Sequence, residues 1–295
     1  MQGSGLPPGF DLLFIDEEEA ARHVLAVDLP PGRLVEPQQE EDAWNGPAYW
    51  LSDEPAGPDL WVRLRQAHAR SGLWPVFAEP SRFRSNRPWA AGEVCPRPVA
   101  EIDRVDASAV LAGLWEAWTR GEHHLWMESH DPLKLASGFT TRPAGEFAEL
   151  EPFGLAWPGL APAGDGQDPD EFADRQIRDN DDGSSRIMLV PAARSADALT
   201  SAGWQGALNY IQPPSLLSSV LRSWEERFGA RLTEVGFDQL HLTVAAPPVS
   251  PAHAERVAAE HFAFCPDNIV QGTGTIRAYA DKYVLGKADW WFWWD

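Results

Sequence analysis

The sequence predicts a mixed α/β (α+β) protein: a central mixed sheet with helices packed on it and an aromatic C-terminal strand in the core. Three observations lead there. Hydrophobic residues make up 44% of the 295 residues and charged residues 23%, an ordinary globular balance. Segments with helical spacing alternate along the chain with short apolar or alternating runs, which is the pattern of strands interleaved with helices. Finally, the chain ends on WWFWWD, Trp290 to Asp295, five consecutive aromatics that are an aggregation hazard unless buried. In a strand, Trp290, Phe292 and Trp294 point one way and Trp291 and Trp293 the other. With both faces apolar, the strand is expected inside a sheet covered by helices.

The first 60 residues are rich in Pro, Gly and acid and read as loops around short strands such as PAYWLS. DLWVRLRQAHARSG places Leu60, Trp61, Leu64 and His68 at helical spacing, with Gly72 as the stop. LWPVFAEP is a short apolar run suited to a buried strand. DASAVLAGLWEAWTRG is a helix with Asp106 or Ser108 as N-cap. Its apolar stripe is Val110, Leu111, Leu114, Trp115 and Trp118, and Gly121 ends it. Between about residues 141 and 185 the composition turns to Gly, Pro and Asp. APAGDGQDPDEFADRQIRDNDDGSS there reads as a mobile loop or linker, with the wrong spacing for a calcium loop.

The last 110 residues are the most legible. RIMLV (Arg186–Val190) suits a strand covered on both faces. PPSLLSSVLRSWEERFGA is a helix with Leu217, Val220, Leu221, Trp224 and Phe228 on one stripe and Gly229 as its stop. RLTEV and QLHLTVAAP, separated by GFD, form a hairpin. SPAHAERVAAEHFAFC begins a helix at Ser250 and Pro251, and Pro266 ends it. TIRAYADKYVLG sets Ile276, Tyr279, Ala280, Tyr283 and Val284 on one face, closed by Gly286. The organisation expected is an acidic α/β region over residues 1–140, a linker over 141–185 and a C-terminal domain over 186–295.

Charge narrows the function classes. The formal net charge is -20, and it is unevenly placed. Residues 186–295 hold 9 Lys and Arg against 11 Asp and Glu, whereas the first 185 hold 15 against 33. Such a chain repels nucleic-acid phosphates and anionic membrane surfaces, and suits a basic protein partner. No apolar window approaches the length of a membrane span, and the first residues lack the pattern of a secretory signal, so a cytoplasmic protein is expected. With two Cys, Cys95 and Cys265, a four-thiolate zinc site is excluded.

Five blocks of the C-terminal segment occur together and in order: GWQGALN, VLRSWEERFGA, VGFDQLHLTVAAPP, AAEHFAFCPDNIVQG and the terminal FWWD. In these the chain resembles the bacterial, mostly actinobacterial, family called domain of unknown function 4253, over roughly residues 186–295. The resemblance implies a module and brings no activity, cofactor or catalytic residue with it.

Candidate chemistry concentrates in AEHFAFCPDN. His261 and Cys265 lie four apart on a helix, a spacing for nucleophile and base or for two metal ligands, with Glu260 and Asp267 beside them. They share the apolar face of Ala254, Val257 and Ala258, so a packed Cys beside a satisfied core His is the plainer alternative. A second cluster, GEHHLWMESHD, offers His124, Glu128 and His130 as metal ligands, without an H-E-x-x-H pattern. GTGTIR (Gly272–Arg277) imitates half of a phosphate loop. Trp44, Trp50, Trp61, Trp74 and Trp89 either line a groove or cover the core. These features predict a non-enzymatic binding module recognising another protein or a small ligand, with no cofactor. The alternative is a hydrolase-like or metal-dependent enzyme using Cys265 and His261.

Overall fold

The structure, a computed structural model, describes residues 27–38, 44, 46–79, 87–120, 147–180 and 183–295. In chain order its elements are β1 (Gly32–Val35), β2 (Tyr49–Pro55), α1 (Pro58–Ser71), β3 (Leu73–Ala78), α2 (Ala107–Thr119), α3 (Pro169–Asn180), β4 (Arg186–Pro191), α4 (Ala198–Ala202), α5 (Pro214–Phe228), β5 (Ala230–Val235), β6 (Gln239–Val244), α6 (Pro251–Phe264), α7 (Ile276–Tyr279) and β7 (Asp289–Trp293). The strands form one seven-stranded sheet in the order β1-β2-β4-β3-β5-β6-β7. Every pairing is antiparallel except β3 with β5, which run parallel through Phe77↔Glu234 and Ala78↔Val235.

This order explains the apolar runs. β3 lies between β4 and β5, in the middle of the sheet, and all six of its residues are buried. On β4, Ile187 to Val190 are likewise buried. A strand covered on both faces reads as continuous hydrophobicity rather than alternation. The hairpin of β5 and β6 alternates instead: Leu240, Leu242 and Val244 are in the core, while Gln239 and His241 remain partly exposed.

Helix boundaries follow the local chemistry. Asp106 caps α2 by accepting from the Ala109 N–H at 2.7 Å. Pro214 and Pro251 open α5 and α6, where their missing N–H costs nothing. Gly229 ends α5 in the left-handed region at φ 59°, the conformation that lets the chain turn directly into β5.

Three expectations are corrected. First, residues 169–180 of the expected loop form α3. Asp168 accepts from the N–H groups of Asp170 and Glu171 at 3.0 and 2.9 Å, Pro169 opens the helix, and Phe172, Ala173 and Ile177 are buried. A stripe of three apolar residues among many acids is too sparse to outweigh composition. Tertiary ion pairs complete it: Arg65 of α1 grips Asp174 through two bonds of 2.8 and 2.5 Å, and Arg231 of β5 binds Asp170 at 2.7 Å. Upstream, Gly164 and Gly166 let the chain pass so close to Ala246 and Ala245 that a Cβ would fall 2.1 and 2.3 Å from their carbonyl oxygens.

Second, β7 is an edge strand rather than an internal one. Trp290, Phe292 and Trp294 are buried, whereas Trp291 is 54% exposed. Third, beyond α7 the chain widens to π winding over Ala280–Val284, with the Leu285 N–H bonding to the Ala280 carbonyl at 2.8 Å. The wider turn keeps Val284 buried and leaves Tyr283 exposed, where regular helical spacing had placed both inside. Of the two roles expected for the Trp residues of the acidic half, Trp50, Trp61, Trp74 and Trp89 are buried and cover the core, while Trp44 is partly exposed. Trp61 of α1 packs edge-on against Trp74 and stacks on Phe77, joining the helix to the sheet centre.

Candidate functional site

The residues of AEHFAFCPDN converge on a closed aromatic core. Trp224 of α5 stacks on Phe292 at 5.3 Å and meets Phe264, His261 and Trp290 edge-on at 4.8 to 5.5 Å. His261 is wholly buried within this cage, its ring 4.5 Å from Trp290 and 4.8 Å from Phe292. Asn268 Nδ2 donates to Tyr279 Oη at 3.1 Å, and Tyr279 Oη lies within hydrogen-bond distance of His261 Nδ1 at 3.3 Å. His261 Nε2 has no hydrogen-bond partner and sits among the edge-on rings of Trp224, Trp290 and Phe292. Burial, with Arg227 nearby, pushes the His261 pKa down from 6.5 to about 3.

Glu260, next in the chain, is also fully buried but richly paired. Its carboxylate accepts two bonds from Arg227 at 2.8 and 2.6 Å, one from the Trp224 indole at 2.7 Å and one from the Ala161 N–H at 2.6 Å. Arg227 also donates to the Ala161 carbonyl at 2.9 Å. The buried ion pair thus fastens the residue 161 segment to α5 and α6, and every acceptor position is used.

Cys265 ends α6 with no exposure. Its Sγ donates to the Trp293 carbonyl at 2.9 Å, and burial pushes the thiol well above its ordinary value. Its position at a helix C-terminus disfavours the thiolate further. Asp267 accepts from Gln271 Nε2 and the Asp295 N–H, both at 3.0 Å. Asn268 binds the outer edge of β7, donating to the Trp291 carbonyl at 2.6 Å and accepting from the Trp293 N–H at 3.2 Å. His261, Cys265, Asp267 and Glu260 are therefore brought together around the terminal strand, and none opens to solvent. Gly274 serves as a left-handed helix stop and Thr275 as the cap of α7, bonding the Ala278 N–H at 3.1 Å.

His124, Glu128 and His130 lie outside the described residues. Among the described residues no group of three His, Cys, Asp or Glu is placed to hold a metal ion, and no helix is long and apolar enough to cross a membrane.

An open site lies elsewhere, at the end of the sheet. Glu79, Glu234, Gly236, Gln239, His241 and Trp291 surround a cleft of about 420 Å³. The register builds it: His241 of β6 pairs with Glu234 of β5 on one side and with Trp291 of β7 on the other. His241 Nδ1 is 3.9 Å from Glu234 Oε2, and its Nε2 is 3.6 Å from Asp289 Oδ1. Desolvation holds the His241 pKa below 6.5, with the Asp289 carboxylate pulling the other way. Glu79 follows β3 directly and is anchored by its backbone, bonding Val235 and the Trp89 indole, each at 2.9 Å. Gly236 keeps the floor low, since a Cβ there would lie 3.1 Å from Glu79 Oε2. Sequence reasoning missed this site. Its one local signal was the polar alternation Gln239, His241, Thr243 along QLHLTV.

Fold and site together define a mixed α/β protein with a sealed aromatic core and one carboxylate-rimmed cleft at the sheet edge. Residues 186–295 match the family described as Domain of unknown function (DUF4253), the segment that contributes β4 to β7 and α4 to α7. No curated protein and no solved structure matches the chain.

Proposed function

We propose that the protein is a non-enzymatic binding module whose recognition surface is the cleft between Glu79 and Trp291. The observation that carries this reading is the exposure of Trp291, a large aromatic beside polar groups that converge on a concavity of about 420 Å³. That volume lies in the range of ligand pockets, roughly 300–1,000 Å³, and Trp is among the side chains enriched at binding hot spots. The enzymatic alternative needs an accessible thiolate at Cys265, and the thiol is enclosed and raised. Photo-crosslinking from a p-benzoylphenylalanine at Gln239 tests the reading in the full chain. Capture of a discrete partner that Trp291→Ala abolishes supports the cleft. Capture unaffected by that substitution moves recognition elsewhere.

A further inference from the structure

Trp291 rides on an edge strand, and a backbone at a sheet edge is paired from one side only. That side is β6. The Val244 N–H bonds to the Ala288 carbonyl at 2.7 Å and the Trp294 N–H to the Asp238 carbonyl at 3.0 Å, so the even-numbered residues from 288 to 294 turn their backbone groups toward β6. Trp291 and Trp293 therefore turn theirs outward. An indole more than half exposed has few neighbours of its own, and its direction follows the backbone that carries it. The Asn268 side chain takes the outer side. Its Nδ2 donates to the Trp291 carbonyl at 2.6 Å, and its Oδ1 accepts from the Trp293 N–H at 3.2 Å. A neighbouring strand would make the same two bonds, and a side-chain amide can replace it because it carries both a donor and an acceptor.

We infer that Asn268 is a positioning residue of the recognition surface: it fixes the Trp291 backbone from outside while β6 fixes it from inside. The inference rests on reading the cleft as the binding surface. Asn268 is itself buried, and its remaining hydrogen-bonding positions tie it into the core. Nδ2 also donates to Tyr279 Oη at 3.1 Å, and Oδ1 also accepts from Cys265 Sγ at 3.5 Å. These four bonds use the whole capacity of the amide and leave it one orientation. The turn that carries it is anchored as well: the Ile269 N–H bonds to the Pro266 carbonyl at 3.0 Å, and the Ile269 side chain is fully buried. One buried amide thus joins the sealed core around His261 to the exposed tryptophan of the cleft.

The test uses the full ¹⁵N-labelled chain. Asn268→Ala removes both bonds to β7. Tyr279→Phe removes a neighbouring bond of the same network and leaves those two in place, so it is the structural control. In Asn268→Ala the Trp293 amide should exchange with solvent roughly tenfold faster, the worth of one hydrogen bond. The Phe292 amide, which faces β6, should keep its wild-type rate. The Trp291 indole, assigned by its loss in Trp291→Phe, should show a lower heteronuclear NOE, and photo-crosslinking from Gln239 should fall by a factor similar to that of the exchange. Tyr279→Phe should move none of these. If Asn268→Ala does not fold, Asn268→Asp decides, since it keeps an acceptor for the Trp293 N–H and loses the donor to the Trp291 carbonyl. Unchanged Trp291 order or unchanged capture in the Asn268 variant would overturn the positioning role and leave the cleft as the binding surface. An equal effect of Tyr279→Phe would do the same. A wild-type chain that captures nothing from Gln239 would overturn both.

Discussion

Lowering the pH from 7 to 5 should remove about 2 kcal/mol of stability through His261 alone. The folded protein holds this imidazole at a pKa of about 3, against 6.5 in the unfolded chain. As pH falls through 6.5 the unfolded state takes up a proton that the folded state refuses, because imidazolium inside the cage of Trp224, Trp290 and Phe292 would be desolvated and beside Arg227. The contribution is therefore fully present above about pH 6.5 and is lost progressively toward pH 3. One pKa step is worth about 1.4 kcal/mol, so the ceiling is about 5 kcal/mol. Urea unfolding followed by tryptophan fluorescence at pH 5, 6 and 7 measures it, with His261→Phe as the non-titrating reference and His261→Gln as a second. Phe suits the aromatic cage and leaves Tyr279 its bond from Asn268. Subtracting the reference removes every other titrating group. If wild type and both references lose stability in parallel, the closed-cage account of His261 is wrong.

Removing residues 290–295 takes Trp290, Phe292 and Trp294 out of the core, at about 3–5 kcal/mol each; the truncated chain should be insoluble or molten, and cooperative melting near the parent temperature would contradict this. Native alkylation followed by mass spectrometry should label Cys95, which is partly exposed, well before the enclosed Cys265, with Cys265 reacting only on unfolding. Glu260→Gln breaks the buried pair with Arg227 and should cost about 3–5 kcal/mol in denaturant titration. Asp174→Ala leaves Arg65 without its main partner and should make α3 the first site of limited proteolysis, whereas the wild-type helix resists cleavage.

The sequence by itself determined most of the elements and their order. Helices with a wide apolar stripe and clean start and stop residues, such as Pro214 to Gly229 and Asp106 onward, depend on local chemistry alone. So do β3 and β4, whose unbroken hydrophobicity can be satisfied only in the middle of a sheet. Local pattern also placed His261 and Cys265 on the apolar face of their helix. Tertiary structure decided the rest. α3 is held by Arg65 and Arg231, which come from distant parts of the chain, and no window around residue 172 contains them. β7 became an edge strand because strand order is set by non-local pairing; the pleat alone sends Trp290 and Trp291 to opposite faces, and the helices α5 and α6 pack on the face of Trp290 while that of Trp291 stays open. The cleft was unreadable for the same reason. Glu79, Glu234, His241 and Trp291 belong to four separate stretches, and they meet only once β3, β5, β6 and β7 lie side by side in register.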